Sequence, residues 1–206
     1  MDYKIPASLE VVAKTVEAIK AKKGFEVMTV ENESEALEKI KTLIPKGASV
    51  MNGASVTLEQ IGFVDYLKDG DHGWKNLHAE VLTEQDPAKQ KIKRRQATVS
   101  DVHLSSVHAV TEEGDLIIAS NTASQLPSVT FNAQNLIFVI GTQKIVPTLD
   151  EGMKRLEEYV VPLENEHMQQ KYGVNTQLSK IIIFKKESPM SDRKITVIFV
   201  NKVLGF

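Results

Sequence analysis

The 206-residue chain contains no cysteine. That absence excludes disulfides, Cys-ligated zinc, thiolate-held iron–sulfur clusters and thiol nucleophiles together. A charge excess of one sign is missing too: the formal net charge is -2 and the pI about 6.2, so no overall field draws the chain to nucleic acid or anionic lipid. No apolar run approaches the roughly 20 residues that span a bilayer. The first residues, MDYKIPASLE, lack the basic-then-apolar order of a secretory signal. A cytoplasmic protein with no membrane span is expected. G-x-G-x-x-G, Walker and G-x-S-x-G motifs are absent. The five histidines form no H-x-x-x-H or facial-triad pattern, so no metal site is expected. His103 and His108, five apart in a strand-like run, would point to opposite faces.

What is present is alternation of strand and helix. Ser8–Lys22 carries apolar residues at helical spacing and is stopped by Gly24. Phe25–Val30 reads as a buried strand, Glu33–Ile44 as a helix, and Ala48–Met51 as a second strand. Thr57 is placed to cap the next helix. Asp69–His78 is a polar, Gly-punctuated loop in which Trp74 serves mainly as packing. Asp86–Ala97 reads as a helix whose basic run Lys89–Arg95 is a solvated face; without interleaved aromatics, no nucleic-acid partner is expected. Thr98–Thr111 and Asp115–Ala119 read as strands joined by a Glu112–Gly114 turn. Asn135–Ile140 is a strand, Leu149–Tyr159 and Val161–Tyr172 are helices, and Ser179–Phe184 with Lys194–Val200 reads as a final strand pair. The chain is expected to form one domain over residues 1–206, the pair at about 179–206 being an extension. The fold class is α/β, an open, mostly parallel sheet.

In such sheets ligands gather where strand ends meet helix starts, because backbone N–H groups and helix dipoles converge there. Four corners qualify. Asn52, Gly53, Ser55 and Thr57 offer small residues and hydroxyls. Thr111 begins a carboxylate-rich turn, in which a buried Glu112 would suit proton transfer or acyl attack. Ser120, Asn121, Thr122, Ser124 and Gln125 offer donors and acceptors without an arginine. Gly141 and Lys144 combine close approach with positive charge. Arg155 is expected in a salt bridge on its own helix, for example to Glu151 or Glu158.

Four stretches resemble one known family in order and spacing: NGASVTLEQIG (Asn52–Gly62), HAVTEEGDLIIAS (His108–Ser120), FVIGTQKIVPTLDEGMKRLEEYVVPLENEH (Phe138–His167) and VIFVNKVLGF (Val197–Phe206). They are similar to motifs of the LUD, or lactate-utilisation, domain. Gln60 stands where the first motif has Glu, and Ile140 where the third has Val. Ser120–Ser124 lacks the Gly and Arg that some members carry, and the C-terminal Cys cluster of others is absent, placing the chain in a subgroup without it. The resemblance implies a Rossmann-like sheet related to sugar-phosphate isomerases and CoA transferases. It marks Glu112, at the motif position, as the candidate acid, base or nucleophile. It also implies a small anionic metabolite as ligand, with organic-acid utilisation beside iron–sulfur oxidoreductase partners that would supply the cofactors; no cofactor is identified for the chain itself. A stand-alone enzyme on a phosphorylated or CoA-linked metabolite, and a non-catalytic binding or regulatory module, are the alternatives. Any of the three is compatible with a homo-oligomer.

Overall fold

The computed structural model describes residues 1–22 and 24–206. Helix α1 (Leu9–Ala21) begins where Ser8 accepts the Val11 N–H, and it buries Val12, Thr15, Val16 and Ile19, one stripe at helical spacing. Strand β1 (Phe25–Val30) leads to α2 (Glu33–Leu43), which Asn32 caps and which docks through Ala36 and Ile40. Then come β2 (Ser49–Asn52), α3 (Val56–Gln60), α4 (Phe63–Asp69), β3 (Lys75–Asn76), α5 (Leu77–Leu82) and α6 (Pro87–Gln96). The middle of the chain supplies β4 (Val102–Ser105), β5 (Ala109–Thr111), β6 (Leu116–Ser120), β7 (Asn135–Gly141) and β8 (Ile145–Val146). Helices α7 (Leu149–Arg155) and α8 (Val161–Tyr172) are joined by a π turn at Leu156–Val160, and β9 (Lys180–Phe184) and β10 (Lys194–Val200) follow. The wide turn lies just before Pro162, which has no N–H for the i−4 bond.

Among the described residues the strands form two sheets. The larger has the order β1–β10–β7–β4–β2–β3 with every neighbouring pair parallel. Its middle strands β7 and β10 are buried over nearly their whole length, as expected of strands covered on both faces. The smaller has the order β8–β5–β6–β9, with β5–β6 and β6–β9 antiparallel. The expected open, mostly parallel α/β fold is present.

Three expectations change. Ser179–Phe184 and Lys194–Val200 do not pair: β9 is an edge of the small sheet, whereas β10 lies inside the large one between β1 and β7. The reason is composition, since TVIFV can be buried on both faces whereas β9 exposes Ile181 and Ile183 at 37% and 39%. Thr98–Thr111 is two strands, β4 and β5, in different sheets, because the chain leaves the large sheet at Ser106. The Asp69–His78 loop contains β3, and its Asn76 caps α5. Trp74 packs that loop, stacked on His72 at 4.7 Å and edge-on to Tyr66 at 5.7 Å.

The β5–β6 turn packs on α1 through Gly114, at φ +82°, where an added Cβ would lie 2.6 Å from Ile19 Cγ1. Gly114→Ala therefore combines left-handed backbone strain with overpacking, together about 3 kcal/mol. The melting temperature should fall by roughly 6–12 °C; a fall under about 2 °C would show that the turn is not seated on α1 as described.

Candidate functional site

Because every strand of the large sheet runs the same way, the loops after β2, β4, β7 and β10 share one edge. The loop after β6 joins them, and together they line a cavity of about 460 Å³. Ten residues expected at a site line it: Asn52, Gly53, Ser55, Thr57, Ser120, Asn121, Thr122, Ser124, Gln125 and Lys144.

After β2 the chain turns on Gly53, whose N–H donates to Leu104 O at 3.1 Å. The Gln125 side chain lies directly over Gly53, in space that any Cβ there would occupy. Ser55, rather than Thr57, caps α3, accepting the Leu58 N–H at 3.3 Å. The first free hydroxyl reaches the open N–H groups, which leaves Thr57 buried inside the helix. The loop after β6 is held by Ser120, which accepts the Ala123 N–H at 3.0 Å, and by Ser179, which donates to Asn121 Oδ1. Ala123 adopts φ +62° there, a left-handed conformation that costs a non-glycine residue about 1–2 kcal/mol.

Lys144 forms the floor. It is 3% exposed, in the short turn after β7, and Nζ donates to Thr57 Oγ1 (3.1 Å), Ser106 Oγ (3.2 Å) and Val107 O (3.1 Å). Burial, followed by the Arg155 charge, pushes its pKa well below the lysine range. The hydrogen bonds act the other way and favour the ammonium. Thr57 Oγ1 donates its own proton to Leu204 O at 3.3 Å, and Ser106 Oγ donates to Val139 O at 2.7 Å. Both hydroxyls therefore turn lone pairs toward Nζ, as the carbonyl does. The ammonium, with three N–H donors, meets all three acceptors at once. Among the described residues no carboxylate contacts this charge.

Sequence reasoning missed the histidines. With the chain bending away at Ser106, His103 and His108 both border the cavity. His103 is 1% exposed with neither ring nitrogen hydrogen-bonded; burial and then the Arg193 charge lower its pKa to about 3. His108 Nδ1 accepts the Ala119 N–H at 3.0 Å, and burial, then Lys144 and Arg155, lower its pKa to about 3. Arg155 is not at the surface. It is fully buried, donates to His108 O, and lies 5.5 and 5.2 Å from the Tyr3 and Tyr159 ring centres. Helical i+4 spacing suggested Glu partners, but the face that carries Arg155 packs onto the small sheet. At the rim His167 Nδ1 lies 3.3 Å from Glu164, and Lys171 pairs with Glu59 at 3.1 Å.

Three expected site residues lie elsewhere. Glu112 does not line the cavity; it pairs with Lys14 on α1 at 2.7 Å, on the far side of the β5–β6 turn. Thr111 is enclosed in that hairpin, where Oγ1 accepts the Asp115 N–H. Gly141 packs against the backbone of residues 202–204. Among the described residues no group of three or more His, Asp or Glu is placed to hold a metal ion, and no helix is long and apolar enough to cross a membrane.

No curated protein matches the chain. A crystal structure of a DUF162 family protein from Deinococcus radiodurans matches in fold, with a TM-score of 0.56 at 15% identity, covering 95% of this chain and 100% of that one. Gln60, which departs from the motif, accepts the Gly205 N–H through Oε1 at 2.6 Å, a bond that a carboxylate there could also accept. Each of the four motif segments contributes residues to the cavity wall, and the family model for the LUD domain matches residues 12–203: the chain belongs to the LUD domain family.

Proposed function

We propose that the protein binds a small anionic metabolite in this cavity, in the setting of organic-acid, lactate-type utilisation beside redox partners. The observation that carries the reading is Lys144: a buried ammonium at the cavity floor, bonded to neutral oxygens alone. A lone buried charge is costly, and a ligand anion supplies the missing counter-charge. Arg155, a second buried cation with no carboxylate partner among the described residues, adds to the same positive potential. Having no cysteine, the chain leaves any thiolate-ligated cluster to a partner.

A second reading rests on size. A cavity near 460 Å³ falls in the range that holds drug-sized ligands and exceeds a hydroxy acid of a few atoms. It favours a larger phosphorylated or CoA-linked acid whose anionic end reaches Lys144.

A thermal-shift comparison of matched pairs tests the charge requirement: lactate with lactamide, glycerol phosphate with glycerol, and acyl-CoA with the free thioester lacking the nucleotide. The acids are expected to raise the melting temperature and their neutral partners are not. Equal shifts from both members of every pair would refute the anion site.

A further inference from the structure

The ring of His108 allows a step beyond, and resting on, the anion reading. Its position is set at three points: its backbone N–H donates to Ile117 O at 2.9 Å, its carbonyl accepts from Arg155, and its Nδ1 accepts the Ala119 N–H. An imidazole nitrogen that accepts a backbone N–H cannot also carry a proton, so the mobile proton of the neutral ring resides on Nε2. That N–H has no protein acceptor among the described residues, and His108 is partly open to the cavity. The neighbouring Lys144 Nζ is bonded to Ser106 and Val107, the two residues before it.

We infer that His108 is a locked, neutral hydrogen-bond donor of the site, whose Nε2–H receives an unprotonated oxygen of the ligand, carboxylate, carbonyl or phosphoryl, beside the Lys144 ammonium. The ring cannot serve as a base, because its lone pair is occupied by Ala119. It cannot readily become imidazolium, because protonating Nδ1 would set two N–H groups against each other. The charged groups around it, Lys144 from the turn after β7 and Arg155 from α7, are both cations and oppose a third charge. Its chemistry is that of a pre-set electrophile, polarising the ligand oxygen without giving up a proton. The site thereby selects an oxygen acceptor and rejects an ammonium or amide N–H at that point.

Nitrogen NMR of histidine-labelled protein reads this directly. In the free protein His108 is expected to show a pyridine-type Nδ1 and a pyrrole-type Nε2, both unchanged from pH 8 to pH 5. The opposite tautomer, or a shift of both nitrogens toward the imidazolium position in that range, overturns the inference. Titration with lactate and, separately, with inorganic phosphate is expected to move the Nε2–H signal, and the anion that moves it distinguishes a carboxylate from a phosphoryl occupant. His108→Asn can offer Oδ1 to the Ala119 N–H, while its Nδ2 is too short to replace the donor at the Nε2 position, so the anion's affinity should fall between about tenfold and a hundredfold. Unchanged affinity in that variant, or an anion that raises the melting temperature without moving the Nε2–H signal, overturns the donor role while leaving the anion site intact. No response of any signal to either anion overturns the anion site itself. Should His108→Asn fail to fold, the tautomer and titration of the unaltered protein decide the matter.

Discussion

Replacing Lys144 by Met is expected to leave the protein as stable as before or more so, and to abolish its thermal response to the anion. The two effects have separate causes. The ammonium is buried with hydrogen bonds but no counter-ion, and exchanging such a charge for an apolar side chain of similar volume is often neutral or stabilising by about 1–4 kcal/mol. The partners tolerate its loss, because Thr57 and Ser106 keep their bonds to Leu204 O and Val139 O. Val107 O alone is left short, at a cost of about 1–3 kcal/mol. Ligand at 100 times its dissociation constant stabilises the unaltered protein by about 2.7 kcal/mol, or roughly 5–11 °C for a chain of this length. In the Met variant that shift should disappear. A merely structural lysine would behave in the opposite way: its removal would lower the melting temperature and leave the ligand shift in place.

Lys144 also shows where local sequence rules reach and where they stop. Its place after a buried strand and a glycine marks it as a candidate; nothing in the spacing reveals that Thr57 and Ser106, 87 and 38 positions away, lie within hydrogen-bond reach of it. The Ser55–Thr57 assignment fails by two residues for a local reason, since both can cap a helix and only the path of the turn decides. Glu112 fails more instructively. Its motif position was legible, but the direction in which a hairpin turn faces is set by the helix packed against it, here α1 with Lys14. The histidines escape a reading by alternation because β4 and β5 are not one continuous strand: a three-residue departure at Ser106–His108 breaks the period. Strand β10 was legible as a strand from its apolar run; its position between β1 and β7 rests on pairings that span the whole chain.

The two cavity histidines are expected to set the acid limit of the fold. His103 and His108 hold pKa values of about 3 against about 6.5 in an unfolded chain. Between those values the unfolded state takes up protons that the folded state does not, so stability falls as pH drops through the window from 6.5 to 3. Each histidine contributes about 1.4 kcal/mol per pH unit, and both together about 2.7. Between pH 6.5 and 4.5 the loss is therefore about 5 kcal/mol, a large share of the 5–15 kcal/mol that holds a domain together. The lowered carboxylates are Glu84, through Lys93, Asp101, through Ser49, and Asp115, whose burial is outweighed by Lys22 and Lys185; they act below their ordinary values of 4.5 and 3.8, at the lower end of this window. His103 faces the Arg193 charge, and its ring nitrogens are unbonded. His103→Leu therefore removes one titration and two buried unpaired polar atoms together. Urea unfolding midpoints taken from pH 7 to pH 4.5 should fall steeply in the unaltered protein and with about half that slope in His103→Leu, with the variant the more stable throughout. A midpoint independent of pH down to 5, or the same slope in both proteins, would mean that the folded state protonates these histidines as readily as the unfolded chain does, and that the Ala119 N–H does not hold His108 neutral.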